Sequence, residues 1–387
     1  MLVQIHILQN YAPSNLNRDD TGSPKDATFG GVRRGRISSQ CLKRSIRRSE
    51  AFAEAFEQNN LLGTRTKLLP DLIQQQLAAM SVDLVIQKAI VDKIPEIGRE
   101  STKSAPADEA DETPAGEENK KVEAKKEAET KTKQLIFISQ NELRPLAEKL
   151  LEIYRGFGPA KWGKAKMAEI TKQLAPTLPK SVDIAMFGRM TTSSAFEDVQ
   201  AAVQVAHAIS THALSQEFDY YTAVDDISGE TGAGMIGDIE FNSSTYYKYL
   251  NIHWEQLVDN LGGDIEVARQ AVAALVEAAV TAQPSGKQNS FAANNLPDLV
   301  FVEISDRNLP VSYANAFLKP VHAGSDKSLM DASVQQLAGY LEKISKAYGL
   351  SDKRAYLAVN GNKIPGGAEK SSFAELLDWV AGQLPGG

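Results

Sequence analysis

Between Ser101 and Lys133 the chain loses the means to build a core. Across these 33 positions Val122 is the only Val, Ile, Leu, Met, Phe, Trp, Tyr or Cys, and seven Lys face nine Asp or Glu. A stretch that buries almost no apolar area has nothing to offset its ordering entropy. Any folded core must therefore be assembled from the sequence on either side. The segment itself reads as a mobile insertion or, over KKVEAKKEAETKTK, as a solvated helix of alternating charge.

On the N-terminal side, Val3, Ile5 and Ile7 alternate with Gln4 and His6, the period-two pattern of a half-buried strand. A polar loop follows from Tyr11 to Phe29, with Pro13, Asn15, Asn17, Asp19, Asp20, Gly22 and Pro24. From Ser39 the period becomes helical. Leu42, Ile46 and Ala53 share a side that Phe52 and Phe56 extend, and Ser38 or Ser39 is a natural N-cap. LPDLIQQQLAAM and VDLVIQKAIVDKI predict further helices. Beyond the insertion, QLIFISQNEL predicts a strand-like run and LRPLAEKLLEIY a helix.

Residues 196–214 place Val199, Val203, Ala206 and Ile209 at helical spacing and predict a helix. Next, arms rich in Tyr, Thr, Val and Phe surround Gly229, Gly232, Gly234 and Gly237, which predicts a long hairpin or a flexible projecting loop. A helix (IEVARQAVAALVEAAVTA), a strand (LVFVEIS) and two more helices (LMDASVQQLAGYLEKISKAYG and SFAELLDWVAGQL) follow. No periodic repeat is present. The order of elements predicts an α+β fold with antiparallel pairing.

The only cysteine, Cys41, rules out an intramolecular disulfide and a cysteine metal cluster. No apolar run reaches the roughly 18–20 residues that span a bilayer. MLVQIHILQN lacks the basic start and cleavage site of a signal peptide. The expectation is a soluble protein of the cytoplasm.

Charge is unevenly spread. Arg18 to Arg48 holds nine Lys or Arg against three Asp, +6, in a chain of net −7, so the remainder carries −13. A basic patch on an acidic protein points to one polyanion-binding face. Lys43 with Arg47 and Arg44 with Arg48 are like-charge (i, i+4) pairs, each costing an isolated helix about 0.2–0.5 kcal/mol. Cations near the helix start also oppose its dipole. An anion would relieve both. Ser38, Ser39, the free amides of the helix start and Lys43 form a phosphate cradle, with Arg33, Arg34 and Arg36 just before it. The alternative is a solvated face whose cations pair with acidic neighbours.

Other chemistries find less support. GGVRRGRISS lacks the lysine of a Walker loop, so Gly30 and Gly31 mark a tight turn or a close backbone approach. Asp19, Asp20 and Asp26 either hold a divalent cation or, beside Arg18 and Lys25, are loop-capping or ion-paired, and these structural uses are the commoner. His6, His207, His212, His253 and His322 show no metal-ligand spacing and read as structural. Tyr220, Tyr221, Tyr246, Tyr247 and Tyr249 either stack on bases or partners, or pack a core.

With LNRDDTGSPKDATFGGVRRGRISSQCLKRSIRRS assembled, the chain resembles CasC, the backbone subunit of type I-E CRISPR Cascade, in the RAMP superfamily. The N-R-D-D, K-D-A-x-F-G-G and R-I-S-S-Q-x-L-K-R elements occur in the family's order. VDIAMFGRMTTS, the run from AHAISTH through YYTAVDD, and SYANAFLKPV extend the likeness over most of the chain. It lapses at 101–133 and weakens over the last forty or so residues.

The resemblance implies a hand-shaped protein. An RRM-like (ferredoxin-like) palm would comprise 1–60, 181–215 and 245–325, with 326–387 as its C-terminal helices. Helical fingers would span 61–180 and a β-hairpin thumb 216–244. It implies a non-catalytic subunit without cofactor, stacking head to tail on a guide RNA, with other Cascade subunits, for pairing with target DNA in antiviral defence. Arg18, Lys25, Ser38, Gln40, Lys43 and Arg44 match positions that contact the guide backbone, and Arg47 and Arg48 continue the stripe. Arg33, Arg34, Ser39 and Arg189 complete the expected RNA-binding set. Met190 matches a wedge that packs against bases, Tyr220, Tyr221 and Thr222 fall at the thumb, and Gly30–Gly31 would admit the RNA closely. Two rival readings are a type III-like subunit that cuts target RNA with Asp19 or Asp20, and an RNA-binding regulator unrelated to CRISPR.

Overall fold

The computed structural model describes residues 1–97, 131–132, 135–174, 181–191, 193, 195–224, 227 and 233–386. Most of the polar insertion and the expected hairpin glycines Gly229 and Gly232 lie outside the described residues. The chain divides into two units: one of residues 1–55, 203–255 and 265–387, the other of 56–202 and 256–264.

Twelve strands run in chain order among the described residues: β1 (Leu2–Ser14), β2 (Asp26–Phe29), β3 (Val32–Ile37), β4 (Gly63–Thr66), β5 (Ile136–Ser139), β6 (Val203–Val205), β7 (Ala208–Ser210), β8 (Glu217–Val224), β9 (Ala233–His253), β10 (Leu299–Ser305), β11 (Lys353–Ala358) and β12 (Gly367–Glu369). Ten form one sheet ordered β12-β11-β10-β1-β9-β7-β3-β2, with β6 and β8 also pairing with β9. Every pairing in it is antiparallel except β11 with β12. The fold is thus mixed α/β around a large, mostly antiparallel sheet, in keeping with the α+β expectation.

β1 lies between β9 and β10 and is buried on both faces from Leu2 to Gln9, not half-buried. Its alternation separates two interiors. On one face His6 stacks on Phe301, donor and acceptor atoms of Tyr247 and Glu303 lie 2.8 and 3.1 Å from its ring nitrogens, and Tyr313 and Arg354 also bond Glu303. Leu8, Phe301, Val334 and Leu337 share the apolar cluster there, with helix Leu329–Tyr348 supplying the last two. On the other face Lys248 donates to Gln9 Oε1 and to the Tyr11 hydroxyl, and Tyr11 bonds Gln283. The bonds these buried polar groups make to one another offset the cost of burying them.

The basic helix is shorter than its sequence pattern. Helix Ser39–Arg47 is capped by Ser38, whose hydroxyl accepts from the Cys41 amide, and it buries Leu42 and Ile46. A second helix, Glu50–Phe56, starts where Ser49 Oγ accepts the Phe52 amide. With this start, Arg44 and Arg47 fall in the last turn, where cations favour the dipole. The expected dipole conflict is therefore absent, and the like-charge pairs remain.

The helix expected over 196–214 is instead β6, β7 and an isolated bridge between Arg189 and Val199. Val203 and Val205 pair with Ile252 and Leu250, and Ile209 with Tyr247 and Arg36. β-branched residues at helical spacing satisfy a sheet edge equally well, and β9 offered that edge. The expected hairpin is present: β8 pairs with the first half of β9 from Glu217↔Phe241 to Val224↔Ala233.

The second unit contains the β4–β5 pair and helices Leu69–Ala79, Leu84–Val91 and Gln140–Phe157. These helices pack through Leu69, Ile73, Leu77, Ile90, Leu143, Ala147 and Leu150. Among the described residues no helix is long and apolar enough to cross a membrane.

Candidate nucleic-acid interface

The β2–β3 hairpin turns on Gly30 and Gly31, at φ 62° and 82°, the positive values that a two-residue type I′ connection needs. A Cβ on Gly30 would enter the van der Waals shell of the Leu318 carbonyl, whereas one on Gly31 would meet open space. The close approach at Gly30 is therefore to the chain's own backbone, not to a ligand. That corrects the expectation of an opening for RNA at Gly30, whereas Gly31 faces open space.

Arg34 explains why the tip is held there. It is 0% exposed, and its guanidinium donates to the carbonyls of Phe29, Ser210, Thr211, Phe317 and Leu318, the last at 3.5 Å. Burial lowers its pKa, and the carbonyl oxygens replace the lost hydration. Arg34 thus joins GGVRR to the SYANAFLKPV block and cannot be an RNA contact. Arg33 is exposed and pairs with Asp26. Arg36 donates through Nε to the Asp26 carbonyl at 3.0 Å.

The loop before β2 brings two more cations to the same place. Arg18 bridges to Pro24, the Lys25 amide bonds the Asn17 carbonyl, and the Arg36 amide bonds the Lys25 carbonyl. Asn17 Oδ1 also accepts the Ser38 amide at 2.8 Å. The loop is held by Asp19, whose Oδ1 accepts the Thr21 amide, the Thr21 hydroxyl and the Ser23 amide at 2.8–2.9 Å. Slight desolvation pushes the Asp19 carboxyl up, but these bonds hold it below its usual range. Loop capping, one of the uses foreseen for this aspartate, is what the geometry displays.

Arg18, Gln40, Arg44 and Arg48 are exposed, and Lys25, Ser39, Lys43 and Arg47 half-exposed. Ser38 is buried and occupied as the N-cap, so its hydroxyl serves the helix. The fields of these groups overlap at the helix start. Burial pushes the Cys41 thiol up, while Lys25, Arg44 and Lys248 pull it down. Burial, Arg36 and Lys25 all lower the His207 ring. His207, read from sequence as structural, is exposed, and its Nδ1 lies 3.3 Å from both the Ser39 amide and Arg36 Nη1. No spacing signal marked it, because only the β3–β7 pairing brings it to the helix.

In the second unit the Gly188-Arg189-Met190 element splits its roles. Arg189 is buried, pairs with Glu142 at 2.8 Å, donates to the Phe137 and Glu197 carbonyls, and lies over the Phe196 ring. It is a structural cation, not an exposed RNA contact. Met190 beside it is 90% exposed. On the β8–β9 hairpin, Tyr220 and Thr222 are exposed and Tyr221 lies across Gly237, while Tyr246, Tyr247 and Tyr249 are core residues.

The surviving surface therefore carries cations on a helix, a hairpin and a loop, which suits phosphate. No curated protein matches the chain. Among the solved structures that it resembles is a chain of a "CRISPR RNA-guided surveillance complex, pre-nicking". That chain is 29% identical with a TM-score of 0.75, and the match covers 99% of this chain and 100% of that one. Another, from a "CRISPR RNA-guided surveillance complex", is 26% identical with a TM-score of 0.60 and 99% coverage of each chain. The model of the family described as CT1975-like protein (Cas_CT1975) matches residues 3–380. With nearly its whole length inside that match, the chain belongs to the CT1975-like protein family.

Proposed function

We propose that this chain is a non-catalytic backbone subunit of an RNA-guided CRISPR surveillance complex of the Cascade type I-E class. The observation that carries this reading is the end-to-end overlap with a surveillance-complex chain, 99% of one and 100% of the other, at 29% identity. Arg18, Lys25, Lys43, Arg44, Arg47 and Arg48 grip guide phosphates, which suits a protein that must accept every guide sequence. Base pairing with target DNA then supplies specificity, the logic of RNA-guided effectors.

In this reading the large sheet is the RRM-like palm, the helical unit the fingers, and β8–β9 the thumb. Copies stack head to tail along the RNA, a heterologous contact that does not close on itself. The hairpin segment 217–242 carries Glu217, Asp219, Asp225, Asp226, Glu230, Asp238 and Glu240 and no Lys or Arg. That charge suits a neighbouring copy's basic surface and repels phosphate. Asp19, committed to its loop by three hydrogen bonds, favours a scaffold over a nuclease.

The test is to purify the native complex and sequence its RNA. Repeat-derived guides with uniform ends are expected, and a heterogeneous set of transcripts would favour a general RNA-binding regulator. Matched target RNA with Mg²⁺ should stay intact. Site-specific cleavage lost in Asp20→Ala would replace the scaffold with a target-RNA-cutting subunit.

A further inference from the structure

His207 has its tautomer chosen by its neighbours. A backbone amide and a guanidinium can only donate, and both Ser39 N–H and Arg36 Nη1–H meet the same ring nitrogen, Nδ1, at 3.3 Å. Nδ1 is therefore the acceptor, and the neutral ring carries its hydrogen on Nε2. Protonating Nδ1 would break both contacts and add a charge between Lys25 and Arg36, in line with the lowered pKa of the ring. What remains is an exposed imidazole with one fixed donor, Nε2–H, in the field of two cations.

The geometry points to His207 as a further contact to the RNA backbone, its Nε2–H donating to a phosphate oxygen that Lys25 and Arg36 attract. This rests on the guide-RNA reading above. A phosphate oxygen is the acceptor that matches the place, because a neutral N–H among cations favours an anionic partner over a base edge. The ring then has two duties: Nδ1 steadies the helix start and Arg36, and Nε2 faces the ligand.

A neutral donor displaces no counterion, and this separates His207 from the lysines and arginines around it. Binding of the full chain to unrelated single-stranded RNAs, measured across a salt series, provides the test. His207→Phe should weaken every RNA about ten-fold, about 1.4 kcal/mol, with the salt slope unchanged. His207→Gln, whose amide nitrogen reaches about as far as Nε2, should stay within about three-fold of the unaltered protein. Lys25→Ala should lower the slope by about 0.7.

Wild-type affinity in His207→Phe, or a slope change equal to that of Lys25→Ala, overturns the assignment while leaving RNA binding itself intact. If the unaltered chain binds none of the RNAs, the functional reading falls with it. Should His207→Phe fail to fold, ¹⁵N chemical shifts of the His207 ring at pH 7 decide. A protonated Nε2 and bare Nδ1 that shifts on adding RNA supports the contact, and the opposite tautomer or an unmoved ring refutes it.

Discussion

Two hairpins of the same sheet, β2–β3 and β8–β9, differ in how their strands are anchored. β2–β3 is tied down at its tip by Gly30 against Leu318 and through its middle by the buried Arg34. β8 has β9 as its only strand partner among the described residues, with Phe218 and Tyr220 67% and 64% exposed along it. The first segment is rich in cations, and residues 217–242 of the second have none. The contrast shows that a run of like residues need not share one role. In the basic segment Arg34 builds the platform, Arg36 is tied to Asp26 and His207, and Arg33 is exposed.

Arg34 should be the largest test of that division. Arg34→Ala leaves five carbonyls short of a donor and should cost about 3–5 kcal/mol in chemical denaturation. Arg34→Lys should recover only part, because a single ammonium cannot span the fork of contacts. Arg44→Ala, at an exposed position, should change stability by less than about 0.5 kcal/mol yet weaken RNA binding with a salt slope lower by about 0.7. A stability loss at Arg44 equal to that at Arg34 would erase the distinction.

The second half of β9 holds a buried cation of another kind. Lys248 bonds Gln9 and the Tyr11 hydroxyl and lies over the Tyr11 ring, and burial, slightly opposed by Cys41, lowers its pKa to about 7. Between that value and the ordinary lysine value the unfolded chain binds more protons than the folded one, so stability rises with pH. From pH 7 to 9 the gain should be about 2 kcal/mol. Above about pH 10 the buried tyrosines, Tyr246 among them with its pKa pushed up to about 12, reverse the trend. Denaturation midpoints of the unaltered chain and Lys248→Met across pH 7–9 check this. A slope that survives the substitution would place its origin elsewhere.

The glycine tip gives the next contrast. Gly30→Ala combines a positive φ with a clash on the Leu318 backbone and should cost about 2–3 kcal/mol. Gly31→Ala meets no atom and should cost about 1 kcal/mol, from its φ alone. Equal losses in the two variants would mean that the tip is not packed on Leu318.

How much of this was legible in the sequence follows from which signals are local. The N-cap at Ser38, the anchors Leu42 and Ile46, and the paired arms of the aromatic hairpin are set by neighbours within a few residues, and each is readable from them. The strands at 203–210 were missed because Val199, Val203, Ala206 and Ile209 fit a helix, and only the distant edge of β9 decides against it. Likewise nothing nearby separates Arg34 from Arg33. Their difference arises from residues 210–211 and 317–318, far along the chain. The candidate surface therefore keeps the segment that its charge marks, while Arg34, Ser38 and Arg189 leave it for the interior and His207 joins it through strand pairing.

The smallest effect concerns the two adjacent tyrosines of β8. Tyr221 covers Gly237 on the paired strand, so closely that a Cβ there would meet its ring, and this shields a stretch with no side chain of its own. Tyr220, one residue earlier, lies on the opposite face beside Asp238 and is more exposed. Tyr221→Ala should loosen the hairpin by about 0.5–1 kcal/mol, read as roughly two- to five-fold faster amide exchange in β8. Tyr220→Ala should leave exchange unchanged in the free chain, since its ring is mostly exposed. Its loss should appear only on assembly, as weaker association of copies on RNA. Faster exchange in both variants would make both rings structural and remove Tyr220 from the displayed surface.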